Sequence, residues 1–364
     1  MKRSRKDFFD RIYRIGRIKK RKRGDGGGYF RQNYRIKRIK KLTLAEFEKV
    51  ILFILLILSK LNSNMPELAE VDFYRRRWWD GSRRYAPGLG AGRSVDKAEV
   101  AERSLVYRYL KKEFPGGARA LAKQLQGARM AESGTHGKQM WFVFKMKKER
   151  GKNLWVGIHL GMSGELRIEP KEYVAQKYDA LVLRVAGRTL VFYDPRQFGR
   201  VRAWAGMKAE RPPWLQNLPG EILGKEFTAE FVRGVLARHG RAPVKAVLLN
   251  QSYFPGIGNW MADEILWRAG IHPALPAGKA ATPKIAKKLH ATIQEVTRDA
   301  LRVIAGQGGK LPPDMNANIP DSWLFNHRWR AGGVCPRTKK PLACAEIGGR
   351  TTRWAPARQK LPED

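Results

Sequence analysis

The hydrophobic period switches from strand-like to helical part-way along this chain, and that change limits the fold more than any other feature. Between about residues 95 and 205 the apolar residues fall in short strand-like runs. Met140-Trp141-Phe142-Val143-Phe144 is one. Ala180 to Val185 is another, followed by a turn at Ala186-Gly187-Arg188 and a further strand from Thr189 to Tyr193. Paired short strands joined by turns predict a sandwich or barrel-like domain. Residues Arg211 to Gly224 then bring three prolines and two glycines, the composition of a linker. Beyond them the period is helical. Thr228 is placed to cap a helix running to Arg238, and Thr282-Pro283 is a cap followed by a first-turn proline. Behind that proline, Ile285, Leu289, Ile293, Val296, Ala300 and Val303 fall on one face of a helix. After Gly309 the chain is again loop- and strand-like.

Charge points to the partner. The 364 residues hold 72 Lys and Arg against 33 Asp and Glu, a net of +39. Such an excess says nothing about fold but favours a polyanion, either nucleic acid or an acidic membrane surface. Residues 1–64 carry 20 basic and 5 acidic residues, so the other 300 residues keep 52 and 28, a net of +24. The cationic character therefore does not depend on the first segment. The 43% hydrophobic content excludes wholesale disorder. The two cysteines, Cys335 and Cys344, exclude a disulfide scaffold.

Residues 1–49 are a basic low-complexity run, exemplified by Arg17-Ile18-Lys19-Lys20-Arg21-Lys22-Arg23. Val50 to Leu58 is continuously apolar, but a membrane helix needs about 20 such residues. A signal peptide has a far shorter charged head. The expectation is a protein without membrane association, a monomer in the cytoplasm, associated with the nucleoid if bacterial. From Met65 the character changes, and Glu67 to Trp79 reads as a short helix.

Four separated segments carry a resemblance. They are Met65-Pro66-Glu67-Leu68-Ala69-Glu70-Val71, Asp194-Pro195-Arg196-Gln197-Phe198-Gly199, Gly256-Ile257-Gly258-Asn259 within Gln251 to Pro273, and Gly348-Gly349-Arg350-Thr351-Thr352. In this order and spacing they resemble the formamidopyrimidine-DNA glycosylase/endonuclease VIII family of bifunctional base-excision repair enzymes, over roughly 300 residues from Met65 onward. Any one alone is weak: a lone Pro-Glu, for instance, reads as a helix start.

The resemblance implies an α+β multidomain protein. Its parts are an N-terminal β-sandwich with flanking helices (65–210), a linker (211–225), a helical helix–two-turn–helix domain (226–308) and a C-terminal zincless β-hairpin (309–364). Residues 1–64 stand outside it as a basic extension. It implies catalytic roles for Pro66, Glu67, Glu70 and Lys138. A terminal proline is a compact secondary amine that can attack C1′ of a damaged nucleotide and form a Schiff base. Glu67 beside it would move the proton, and Lys138, after Gly137 at the head of a strand, would contact phosphate near the lesion. Met162, Arg196 and Phe198 match the side chains that fill the void left by a flipped base. Lys245, Gly258, Asn259 and Arg350 match residues that bind DNA, chiefly at phosphates. His159 reads as structural rather than catalytic. Ala69 departs from the family, which usually has proline there.

Two features set this sequence apart. Within a longer chain, Pro66 is an amide nitrogen without a usable lone pair. Either translation starts at Met65, which is then removed, or residues 1–65 are cleaved, or the protein is inactive. The later start is the favoured reading. A non-catalytic damaged-DNA-binding protein of the same fold is the alternative. Secondly, most family members end in a four-cysteine zinc finger. Here Cys335 occupies the first place, but Thr338, Ala355 and Arg358 occupy the other three. The expectation is no metal and no cofactor, with the hairpin held by Trp354, Ile347 and Leu342 as in the zincless plant and fungal branch. The partner implied is double-stranded DNA containing oxidised bases or abasic sites. The activity implied is removal of oxidised purines such as formamidopyrimidines, with strand cleavage by β,δ-elimination.

Overall fold

Two antiparallel sheets of four strands form the first half of the fold. A computed structural model describes residues 66–81, 90–147, 149 and 151–361, all within one compact unit. The basic run and the apolar stretch Val50–Leu58 lie outside the described residues. Helix α1, Leu68–Asp80, opens the described chain and stops at Gly81, whose φ of 80° breaks the helical path. The strands follow as β1 Val95–Val100, β2 Arg129–His136, β3 Gln139–Lys145, β4 Lys152–His159, β5 Glu165–Pro170, β6 Asp179–Val185, β7 Arg188–Tyr193 and β8 Arg200–Met207. One sheet has the order β1-β6-β7-β5 and the other β2-β3-β4-β8.

The sandwich follows from which residues the strands bury. Phe142 and Phe144 on β3, Leu181 and Leu183 on β6 and Leu190 and Phe192 on β7 are all buried in one continuous core. Helix α1 ties the two sheets together. The Trp78 indole donates to Arg167 O on β5 at 2.9 Å, and its ring lies 5.2 Å from that of Phe142 on β3.

The segment read as a linker is not featureless. Pro213–Gln216 forms a short helix, and its Trp214 lies against Gly157 of β4, with the Arg202 guanidinium 5.3 Å from the ring centroid. The helical half comprises α2 Ala229–Arg238, α3 Val244–Leu248, α4 Asn259–Ala269 and α5 Pro283–Val303. Thr228 Oγ1 accepts from Phe231 N at 3.1 Å and Thr282 Oγ1 from Ile285 N at 3.3 Å, so both threonines act as caps. Along α5, Leu289, Ile293, Val296 and Ala300 are buried, while Ile285 and Val303 pack at the margin of the core. Each large side chain of this kind contributes about 1.5–3 kcal/mol on burial.

After α5 the chain stays irregular to Leu342, apart from a 3-10 turn at Leu324–His327. It then forms a hairpin of β9 Ala343–Ile347 and β10 Arg350–Trp354. Gly348 and Gly349 both have positive φ, 63° and 69°, the combination that a two-residue primed turn requires.

Candidate active site

The Pro66-Glu67 segment is docked into the turn before α4. Leu68 N donates to Gly256 O at 3.1 Å. The Glu67 carboxylate accepts three backbone N–H bonds at the start of α4, from Gly258 at 2.8 Å, Trp260 at 2.9 Å and Met261 at 3.1 Å. A helix start offers unpaired N–H groups and a positive dipole end, and Glu67 satisfies both. Only glycine admits this approach: a Cβ at Gly258 would stand 2.4 Å from the Glu67 carboxyl carbon. Gly256, at φ 92°, would likewise put a Cβ 2.6 Å from that of Leu68.

Glu70 lies one turn into α1. Its Oε2 accepts from Glu67 N at 3.2 Å and its Oε1 from the Trp260 indole at 2.7 Å. Burial pushes both carboxyls up, Glu67 against the counter-pull of Lys138 and its three N–H donors. Glu70 rises to about 8, through burial first and the Glu67 charge second. Lys138 sits in the turn between β2 and β3. Burial lowers its ammonium, Glu67 and Glu70 push it back up, and Arg350 lowers it further. Pro66, half-buried, is thus followed by two buried carboxyls whose pKa values are raised, with a lysine whose charge acts on both. Trp260 was not singled out in the sequence, where it looks like one more apolar residue of α4.

Two residues expected at DNA are placed elsewhere. Gly258 is buried and its N–H is committed to Glu67. Lys245, on α3, has no exposed surface. Its ammonium donates to Asp263 Oδ1 at 2.6 Å, Thr352 Oγ1 at 2.8 Å and Thr351 O at 3.3 Å. The other Asp263 oxygen accepts from the Arg328 guanidinium at 2.6 Å and from Arg353 N at 3.1 Å. Lys245 therefore fixes the hairpin, with its ammonium shut off from solvent. Asn259 also faces the hairpin, donating from Nδ2 to Thr351 O at 3.1 Å. What these contacts hold in place is Arg350, which is exposed at the hairpin tip beside Gly348, itself packed on Ala246. Asp263 was missed in the sequence. Its signal is a carboxylate pair, Asp263-Glu264, flanked by the apolar runs Trp260-Met261-Ala262 and Ile265-Leu266-Trp267.

The side chains read as void-filling lie on two neighbouring loops. Phe198 is 51% exposed, the Arg196 guanidinium stands 5.1 Å from its ring centroid, and Met162 is half-buried. None is a core residue. Asp194, buried between the loops, accepts from Ser163 Oγ at 2.8 Å and from Gly199 N at 2.7 Å. It was quoted in the motif but given no role. His159 Nδ1 accepts from Gly161 N at 3.1 Å, and burial followed by the charges of Lys138 and Arg200 pushes its pKa down to about 4. It is a neutral ring.

The hairpin base has its own apolar cluster of Trp267, Leu324, Cys335, Leu342 and Ala355. Of the three side chains expected to hold it, Leu342 belongs to this cluster and Ile347 is buried outside it. Trp354 is half-buried, edge-on to His272 at 5.2 Å. Cys335 is fully buried and its sulfur accepts from the Trp267 indole at 3.4 Å, so it is a packing residue.

A sandwich joined to a helical domain, with carboxylates and a lysine gathered where the two meet and a basic hairpin above them, defines a nucleic-acid-processing class. Residues 65–201 match the formamidopyrimidine-DNA glycosylase N-terminal domain, and residues 218–310 the formamidopyrimidine-DNA glycosylase H2TH domain. The formamidopyrimidine-DNA glycosylase of Acidithiobacillus ferrooxidans is 35% identical over 303 residues, covering 81% of this chain and 100% of that protein. That of Thermus thermophilus is 33% identical over 302 residues, 81% of this chain and 98% of its own. Among solved structures, MutM in complex with carbocyclic 8-oxo-G containing DNA superposes with a TM-score of 0.63 at 23% identity, covering 81% of this chain and all of that one. The Lactococcus lactis enzyme, bound to DNA containing an AP site, gives 0.62 at 22% identity over 81% and 99%. The chain belongs to the formamidopyrimidine-DNA glycosylase family. No helix among the described residues is long and apolar enough to cross a membrane.

Proposed function

We propose that this chain is a bifunctional DNA glycosylase and AP lyase of base-excision repair. It removes oxidised purines such as formamidopyrimidines from duplex DNA in the cytoplasm and cleaves the strand by β,δ-elimination. The observation that carries this reading is the docking of Pro66-Glu67 on the start of α4, with Glu70 and Lys138 beside it.

Freed as a terminal amine, Pro66 attacks C1′ of the flipped nucleotide. The N–C1′ bond forms as the bond to the damaged base breaks, and loss of the amine proton and ring opening give an iminium ion. Loss of a sugar proton then expels the 3′ phosphate, and a second elimination expels the 5′ phosphate. Glu67, already oriented by three N–H donors, takes and returns protons at the sugar. Glu70, with its pKa near 8, is protonated at neutral pH and limits the negative charge around Pro66. Lys138 and Arg350 hold the phosphates beside the lesion. Met162, Arg196 and Phe198 fill the vacated stack, and Arg350 takes its position from the Lys245–Asp263–Arg328 cluster.

The test is base release from a duplex carrying one formamidopyrimidine, followed by chromatography of the freed base. A chain beginning at Pro66 should release it. Glu67→Gln should keep damaged-DNA binding and lose release. Release of no oxidised purine by the unsubstituted protein would refute the reading. The chemistry of Pro66 favours a second reading for the full-length chain: with residues 1–65 retained, its nitrogen is an amide and the protein binds damaged DNA without cutting it.

A further inference from the structure

Between the turn that holds Lys138 and the loop that holds Phe198 lies a cavity of about 260 Å³. Strand register fixes its place. Gln139, next to Lys138, pairs with His159, and His159 pairs with Arg200, so three neighbouring strands bring these residues into one row. Arg108, Arg200, Arg202, Gln139, His159 and Phe198 line the cavity, and no carboxylate is among its described lining residues.

The three arginines are differently engaged. Arg202 is paired with Glu113 at 2.7 Å. Arg108 donates to the backbone carbonyls of Leu105 at 3.2 Å and Gln197 at 3.1 Å, which leaves its positive charge uncompensated. The Arg200 side chain has neither hydrogen bond nor ion pair among the described residues. It is stacked instead on Tyr109, its guanidinium carbon 4.7 Å from the ring centroid, with Arg108 over the same ring at 5.5 Å. A guanidinium held flat by an aromatic ring keeps its N–H fork free and oriented. Two uncompensated guanidiniums facing one concavity repel each other until an anion enters.

We propose that this cavity is a phosphodiester-binding site, with Arg200 as its principal ligand and Arg108 as its second. The inference rests on the reading of the chain as a DNA glycosylase. It adds a phosphate contact separate from the hairpin, beginning one residue beyond Lys138 at Gln139. The lining offers donors and almost no acceptors, which suits phosphate oxygens and not a base edge. The phosphate belongs to the lesion strand or to its complement.

Equilibrium binding of the full chain to a duplex with a stable abasic analogue, measured against salt, tests the site. Arg200→Gln should weaken binding by roughly tenfold and reduce the slope of log affinity against log salt by about 0.9, one phosphate's share. Single methylphosphonates stepped along each strand locate the partner. At one position the neutral linkage should cost the unsubstituted protein the same factor and cost Arg200→Gln nothing more, and the strand carrying that position identifies the source. Arg200→Lys should restore the slope but only part of the affinity. An unchanged slope, or no coupled position on either strand, would overturn the site. If the unsubstituted protein itself failed to prefer the abasic duplex, the glycosylase reading would fall, a result distinct from loss of the Arg200 site alone.

Discussion

Gly258 and Glu67 occupy space that one side chain more would close. Gly258→Ala would place a methyl 2.4 Å from the Glu67 carboxyl carbon, so the Glu67 side chain would have to leave its three N–H donors to make room. The expected result is loss of base release by a factor of about 100 or more, as for a displaced catalytic group, with DNA binding largely kept. Single-turnover kinetics beside a binding titration would separate the two, and unchanged kinetics would contradict the docking. Glu70 gives a second test at this scale. Its carboxyl is raised in the folded protein to about 8, so folding favours the protonated form. That stabilisation is complete below the unfolded value near 4.5 and is lost as pH rises through about 8. Urea unfolding of Glu70→Gln should therefore lose less stability than the parent between pH 5 and 8. Equal slopes for the two proteins would count against a buried, raised Glu70. The sequence made Pro66, Glu67 and Glu70 legible because a reactive group must keep its type and spacing. It did not make Trp260 or Asp263 legible, because a buried partner is recognised only once the fold brings its mate beside it.

At the scale of elements, two carboxylates fasten the hairpin and the Met162 and Phe198 loops, the surfaces proposed to meet DNA. Asp263 holds the hairpin through Lys245, Arg328 and Arg353 N. Removing one member of a fully buried ion pair leaves the other uncompensated, at a cost of about 3–5 kcal/mol. Lys245→Met should lower the unfolding midpoint and detach the hairpin, impairing binding to damaged and undamaged duplex alike. A variant of parental stability would show that the pair is dispensable. Asp194 clamps the Met162 and Phe198 loops to each other. An amide in its place keeps one acceptor and loses the other, so Asp194→Asn should slow base removal from intact duplex more than cleavage at a preformed abasic site, where no base has to be expelled. Comparing the two rates on matched duplexes decides it, and equal slowing would point to a general folding defect. The hairpin also gives Cys335 a packing role. Standing where the first ligand of a four-cysteine finger would be, it is sealed among Trp267, Leu324, Leu342 and Ala355. Cys335→Ser should cost about 1–3 kcal/mol by burying a hydroxyl in an apolar cluster, while the exposed Cys344 should tolerate the same change. The hydrophobic periods did predict the strands of the sandwich and the long α5, since their apolar faces are continuous. They did not predict the helix at Pro213–Gln216, which is too short to show a period and is fixed by Trp214 against Gly157.

For the whole molecule, the question is whether its chemistry and its chain agree. The site is assembled from both halves of the fold: Glu67 reaches it from the start of α1, its N–H donors come from α4, Lys138 comes from the sandwich and Arg350 from the hairpin. In the 364-residue chain Pro66 follows Met65 through an amide bond, so its nitrogen is not a free amine. The most direct measurement is borohydride trapping on a duplex with an oxidised purine, run side by side for the full-length chain and for a chain whose first residue is Pro66, with the mass of the adduct determined. The expected result is a covalent protein–DNA adduct through Pro66 from the shorter chain and none from the chain that retains residues 1–65. No adduct from the Pro66-initiated chain, or an equal yield from both, would contradict Schiff-base catalysis by Pro66.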